Sequence, residues 1–322
     1  MLTLGKAYRL SRCATADGKF VMLALDHRNN LRRAMAPDDP DRVSYEEMAT
    51  FKEELTRALS PAASGILLDP EYGLAAAIAG NAIDPQCGLL VAVEETGYTG
   101  VPTARESKIL PGWSVEKVAR AGAAGVKLLI YYHPQAATAA AQEALVEEVG
   151  ESCRRYEMPF FLEPLSFSLD PEAKRLSSSE KRRVVVETAR RLTPLGVDVL
   201  KAEFPLNIDE EPDQRVWLEA CQELSAASRA PWVLLSAGVS FERFVEQTRV
   251  ACQAGASGVL AGRAVWKEAV TMEPAARQAF FLSTARKRML ELGGVVGEYG
   301  KPWTDFHPDL KSQATPEWYA RF

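Results

Sequence analysis

Eight short apolar runs recur along the chain, and their spacing restricts the fold more than any other feature. They occupy residues 20–26 (FVMLALD), 64–69 (SGILLD), 89–94 (LLVAVE), 125–132 (GVKLLIYY), 159–163 (PFFLE), 197–204 (VDVLKAEF), 231–236 (PWVLLS) and 257–262 (SGVLAG). Near-continuous apolar runs of this length suit parallel strands covered on both faces. Between them lie amphipathic stretches at 46–59, 115–121, 139–156, 180–192, 213–227 and 241–254; in the first, Met48, Phe51, Leu55 and Leu59 share one face. Ser114 and Ser240 stand where N-caps belong, and Gly122 and Gly255 where helices stop. Successive runs begin about 25 to 45 residues apart, the step of a repeated βα unit. The predicted fold is therefore α/β, a (β/α)8 TIM barrel formed by residues 1–292 as one domain. Residues 293–322 form a helical and loop extension packed on the barrel or on a partner subunit. An open doubly wound sheet is the competing architecture. It favours a glycine-rich phosphate loop after an early strand, and neither GxGxxG nor GxxxxGK[ST] occurs.

Composition narrows the function classes. The 322 residues carry 38 basic and 43 acidic side chains, net −5, which lacks the bulk field of a nucleic-acid binder. The five cysteines (Cys13, Cys87, Cys153, Cys221, Cys252) are scattered and form no CxxC, the pattern of a reducing cytoplasm. No apolar run approaches the ~20 residues of a membrane-spanning helix, and the N-terminus lacks a signal-peptide core. A cytoplasmic protein without a membrane partner is expected, and the amphipathic outer helices imply a homo-oligomer.

A barrel carries its chemistry at the C-terminal ends of its strands. Those ends are unusually polar here: Asp26-His27-Arg28, Asp69-Pro70-Glu71, Glu163, Ser236-Ala237-Gly238 and Gly262-Arg263. Two lysines stand inside apolar strands, Lys127 in GVKLLIYY and Lys201 in VDVLKAEF. Side chains alternate along a strand, so Lys201 shares a face with Val199 and Glu203, and Lys127 with Leu129 and Tyr131. If both faces point inward, two ammonium groups and Glu163 converge. Desolvation and a second cation each favour the free amine, the form that condenses with a ketone to an iminium ion. A carboxylate such as Glu163 then moves the protons. Buried ion pairing is the alternative reading: Lys201 with Glu203 or Asp198, Lys127 with Asp26. The residue pattern leaves Lys201 and Lys127 as alternative nucleophiles. Ser236 and Gly238 in SAGVS, with Gly262 and Arg263 in AGRA, suit an anion held by the last two loops. No cofactor is called for. With three histidines and neither HxH nor HExxH, a metal site would rest on Asp26, Asp69, Glu71 or Glu94 alone.

The motifs LALDHR, LLDPEYG, EETGY, GVKLLIYY, FFLEPL, DVLKAEFPLN, LSAGVS and GRAVW follow one another over roughly residues 20–270. In this order they resemble the class I tagatose-1,6-bisphosphate aldolases, the LacD-like family. The resemblance implies a Schiff-base lyase cleaving a ketose 1,6-bisphosphate to dihydroxyacetone phosphate and glyceraldehyde 3-phosphate. It implies Lys201 as the Schiff-base lysine and Glu163 as proton shuttle, with Lys127 and Asp26 around the reacting carbons. Ser236, Gly238, Gly262 and Arg263 would hold a phosphate. His27 would contact the substrate, although the family usually has Gln there, and the tail KPWTDFHPDL departs from the family. AGASGVLAGRAVW also resembles the sulfofructose-1-phosphate aldolases, whose substrate has a sulfonate at the distal end. A sugar-phosphate-binding regulator without turnover is the non-enzymatic alternative; retention of Lys201, Lys127 and Glu163 together speaks against it. Arg28 and Arg105 are candidates for a distal anion.

Overall fold

The structure, a computed structural model, describes residues 2–173 and 175–321. Eight parallel strands close in the order β1-β10-β9-β8-β7-β6-β3-β2. They are β1 (Phe20–Leu25), β2 (Gly65–Leu68), β3 (Gly88–Ala92), β6 (Gly125–Tyr131), β7 (Phe160–Leu165), β8 (Val199–Ala202), β9 (Trp232–Leu235) and β10 (Gly258–Ala261). All eight predicted runs are strands of this barrel. The remaining pair, β4 (Thr99–Val101) and β5 (Ala104–Glu106), is an antiparallel hairpin in the loop after β3 that the spacing did not predict.

Alternation sorts each strand between two apolar layers. Phe20, Met22, Leu67, Leu90, Phe161, Val199, Val233 and Leu260 fill the barrel interior. Val21, Leu23, Leu25, Leu200, Leu234 and Val259 face the helices instead. The six predicted helices form within two residues of their expected ends. Ser114 and Ser240 cap as expected, accepting from the Lys117 and Arg243 amides, and Gly122 and Gly255 adopt positive φ. At Gly258 (φ +141°) a Cβ would lie 1.9 Å from the Phe20 carbonyl oxygen. Only glycine lets β10 approach β1 there and close the barrel.

Shorter helices lay outside the reading: α1 (Leu4–Ser11), α2 (Asn29–Met35), α4 (Leu74–Ala79) and α10 (Arg263–Trp266). Near the C-terminus, α11 (Pro274–Phe280) leads through a π-turn into α12 (Arg286–Tyr299), which packs on α9 (Phe241–Gln253) and β1. The expected boundary at 292/293 falls inside α12. The tail proper follows Gly300 and covers the end of the barrel opposite the strand C-termini. Lys301 N–H donates to Ala256 C=O (2.9 Å), Trp303 N–H to Gly18 C=O (2.8 Å), and the Trp303 ring joins Leu2, Ala7 and Leu10 beneath the interior layer. No described helix is long and apolar enough to cross a membrane.

Candidate active site

Two residues beyond an interior apolar side chain, a strand still points into the barrel. Asp26 follows Ala24 in this way, Glu94 follows Ala92, Glu163 follows Phe161 and Lys201 follows Val199, while Lys127 stands level with Ala92 and Phe161 in the register. The interior thus changes within one layer from apolar to charged. Lys127 Nζ lies 2.6 Å from Asp26 Oδ2, 2.6 Å from Glu94 Oε1 and 3.0 Å from Glu163 Oε2. Lys201 Nζ reaches the same Glu163 oxygen at 2.8 Å. Both lysines are buried, at 0% and 3% exposure, so bulk water screens their charges little.

The two lysines are paired differently. Burial disfavours the charge on Lys127, but Asp26, Glu163 and Glu94 outweigh it and hold the ammonium above its ordinary pKa. Burial likewise opposes ionisation of Asp26 and Glu163, and the two lysines overcome it, leaving both carboxyls below their ordinary range. The ion pair expected between Lys127 and Asp26 is present. Those expected for Lys201 are not: Asp198 pairs with Lys6 beneath the barrel, and Glu203 accepts from the Ser166 amide and hydroxyl.

A cavity of about 740 Å³ opens above this layer. Asp26, Lys127, Glu163 and Lys201 line it together with His27, Ser236, Gly262 and Arg263. Gly238 (φ +78°) sits beside them: a Cβ there would lie 3.5 Å from the Arg263 guanidinium. Ser236 Oγ accepts from the Gly262 amide (3.2 Å), tying the ends of β9 and β10 together. Arg263 faces no carboxylate among the described residues, leaving its donors for a ligand. His27 packs edge-on against Trp266 (5.1 Å between centroids), and its buried Nδ1 has no hydrogen-bond partner. Burial lowers its pKa to about 3, so the imidazole is neutral at pH 7.

Of the carboxylates considered for a metal, Asp69 pairs with buried Lys52 and Glu71 with Arg28, while Asp26 and Glu94 face Lys127. Glu94 is therefore a member of the charged layer, binding Lys127 and also the Leu129 amide (3.0 Å). Its position two residues after Ala92 was the available signal. Arg28 is buried, bonded to Glu71 (2.5 Å) and to the Glu94 carbonyl (2.8 Å).

Residues 20–268 match the model of the DeoC/LacD family aldolases. The chain belongs to that family. Tagatose 1,6-diphosphate aldolase 2 of Streptococcus pyogenes serotype M3 is 32% identical over 314 residues, covering 90% of this chain and 94% of its own. Tagatose 1,6-diphosphate aldolase 1 of Streptococcus pyogenes serotype M1 is 33% identical over 331 residues, covering 94% and 99%. Among solved structures, an archaeal fructose 1,6-bisphosphate aldolase superposes with a TM-score of 0.59 at 20% identity, over 90% of this chain and 98% of that one. The fructose-bisphosphate aldolase of Plasmodium falciparum reaches 0.69 at 14% identity, over 92% and 95%. These similarities in shape establish the barrel. As a DeoC/LacD aldolase the protein is a lyase, and its charged layer lies at the barrel end where such folds place their chemistry.

Proposed function

We propose that this aldolase works through a Schiff base on Lys201. We further propose that it cleaves a ketose 1,6-bisphosphate, foremost tagatose 1,6-bisphosphate, to dihydroxyacetone phosphate and glyceraldehyde 3-phosphate. The observation that carries the reading is the sharing of Glu163 Oε2 by Lys201 and Lys127 on the floor of the cavity. Lys201 passes a proton to Glu163, and its free amine attacks C2. Lys127, held cationic by its carboxylates, opposes return of the positive charge to Lys201. Glu163 then protonates the carbinolamine oxygen, which leaves as water and gives the iminium ion. A base, Glu163 or a substrate phosphate oxygen, takes the C4 hydroxyl proton. The C3–C4 bond breaks, its electrons enter the iminium to form an enamine, and the aldehyde departs. Protonation at C3 and hydrolysis release dihydroxyacetone phosphate and restore Lys201. In this reading Asp26 and neutral His27 hold substrate hydroxyls, and Ser236, Gly238, Gly262 and Arg263 hold the phosphate on C1. A cytoplasmic location and a homo-oligomer belong to the same proposal. The five buried free cysteines support the first, and the exposed apolar Leu282 and Leu290 on the C-terminal helices support the second.

Borohydride reduction in the presence of dihydroxyacetone phosphate, followed by peptide mass mapping, tests the mechanism. A reduced adduct on Lys201, absent from Lys201→Ala, is expected; an adduct on Lys127, or substantial turnover by Lys201→Ala, would overturn the assignment. Cleavage rates on tagatose 1,6-bisphosphate, fructose 1,6-bisphosphate and sulfofructose 1-phosphate then rank the substrates, with tagatose 1,6-bisphosphate expected first.

A further inference from the structure

Lys52 is a buried charge that the mechanism above does not use. It stands on α3 (Tyr45–Leu59), among Met48, Phe51 and Leu55 on the face that packs against the barrel. Lys52 and its partner Asp69 are both 0% exposed, and neither lines the catalytic cavity. Desolvation holds the Lys52 ammonium below its ordinary pKa in spite of Asp69. Replacing a buried ion pair by apolar residues is often neutral or stabilising, so stability alone does not account for a charge at this position.

The place of the pair, at two strand ends, accounts for it. Lys52 Nζ donates to the Leu25 carbonyl (2.9 Å) and to Asp69 Oδ1. Leu25 closes β1, Leu68 closes β2, and the two are register partners, so Lys52 ties the strands together where their ladder ends. The Leu25 carbonyl shares a rigid peptide plane with the Asp26 nitrogen. Fixing that plane fixes the direction in which Asp26 leaves the strand, and Asp26 Oδ2 lies 2.6 Å from Lys127 Nζ. On the β2 side, Asp69 Oδ2 accepts from the Tyr72 amide (2.8 Å) and the Asp69 carbonyl from the Leu74 amide (2.9 Å), which folds residues 69–74 into a tight turn. Glu71 in that turn holds Arg28, Arg28 donates to the Glu94 carbonyl (2.8 Å), and Glu94 Oε1 lies 2.6 Å from Lys127 Nζ.

We propose that Lys52 is a positioning residue for the cleavage reaction: from outside the barrel it locks the ends of β1 and β2 and so aims Asp26 and Glu94 at Lys127. This rests on the reading of the charged layer as the reacting centre. Three carboxylates hold Lys127 cationic, and two of them reach it through segments that Lys52 ties down, Asp26 directly and Glu94 by way of Glu71 and Arg28. The third, Glu163, comes from β7. Loss of Lys52 therefore loosens the charges around the reacting carbons. The anion-holding Ser236 and Arg263 follow β9 and β10 instead, so the loss belongs in kcat rather than in KM.

The test compares full-length Lys52→Met and Lys52→Met/Asp69→Asn with the parent, by urea unfolding and by steady-state cleavage of the ketose 1,6-bisphosphate that the parent turns over fastest. The single variant strands the Asp69 charge and should lose stability. The double variant removes both charges, keeps an oxygen for the Tyr72 amide and should recover most of that stability. In both, kcat should fall roughly 10- to 100-fold while KM stays within about 3-fold of the parent value. If Lys52→Met does not fold, the double variant carries the test alone. A kcat that recovers together with stability in the double variant, an unchanged kcat in either, or a loss confined to KM would overturn the positioning role and leave the Lys201 adduct with dihydroxyacetone phosphate intact. Absence of that adduct from the parent protein would overturn the Schiff-base reading instead, whatever the variants do.

Discussion

Lys127 and Lys201 have the same residue type, similar burial and a carboxylate oxygen in common, yet their surroundings give them different work. Three carboxylates surround Lys127, so its proton is held and it serves as a fixed positive charge. Lys201 has one carboxylate partner, the group best placed to take its proton. Lys127→Met should therefore leave the nucleophile present but strand Asp26, Glu94 and Glu163 without their shared cation. Removing one partner of a buried ion pair costs about 3–5 kcal/mol, so urea unfolding should show a loss of that size, and kcat should fall at least 100-fold. A variant as stable as its parent would mean that the carboxylates are neutral rather than ionised. The lysines were legible in the sequence because an ammonium group inside an apolar strand demands an explanation. Glu94 and Arg28 were harder to read, because an acid or an arginine at a strand end is ordinary.

Strand alternation does the positioning at the scale of the element. One apolar inward residue followed two positions later by a charged one, repeated on β1, β3, β7 and β8, builds a charged layer on an apolar floor. All eight barrel strands and six helices were readable, because period-2 and period-3.6 patterns survive in short segments. The β4–β5 hairpin escaped because its strands are three residues each and carry no apolar run. The boundary expected at 292/293 falls inside α12, because glycines such as Gly293 and Gly294 weaken a helix pattern that packing on α9 and β1 sustains here. Gly258→Ala tests the seam between β1 and β10. Overpacking and an unfavourable φ each cost about 1–3 kcal/mol, so the thermal midpoint should drop by many degrees. An unchanged midpoint would show that the seam can open without loss.

At the scale of the whole molecule, all three histidines are shifted the same way. Burial is the first cause for His27, His133 and His307, and each has a folded-state pKa below its ordinary value. The unfolded chain therefore binds more protons than the folded one as pH falls below about 6.5. Stability contributed by the neutral histidines is complete above that pH and declines by up to about 1.4 kcal/mol per pH unit for each fully shifted group. Asp26 and Glu163, with lowered pKa values, add to the loss only below about pH 4. Denaturant unfolding from pH 7 to 4.5 should show this decline, and His27→Gln should flatten it. An identical slope in the variant would mean that His27 takes up its proton in the folded state. The tail bears on the same balance: with α1 it seals the end of the barrel away from the site, which separates fold closure from catalysis.

Periodicity and residue type are local properties, so the eight-strand count, the inward lysines and the polar strand ends could all be read along the chain. The resemblance carried by LALDHR, FFLEPL and DVLKAEFPLN pointed to the same family that the comparisons show. Which carboxylate meets which lysine could not be read in this way. Glu163, Asp26 and Glu94 come from separate strands, and their distances to Lys127 depend on the register and closure of the ring.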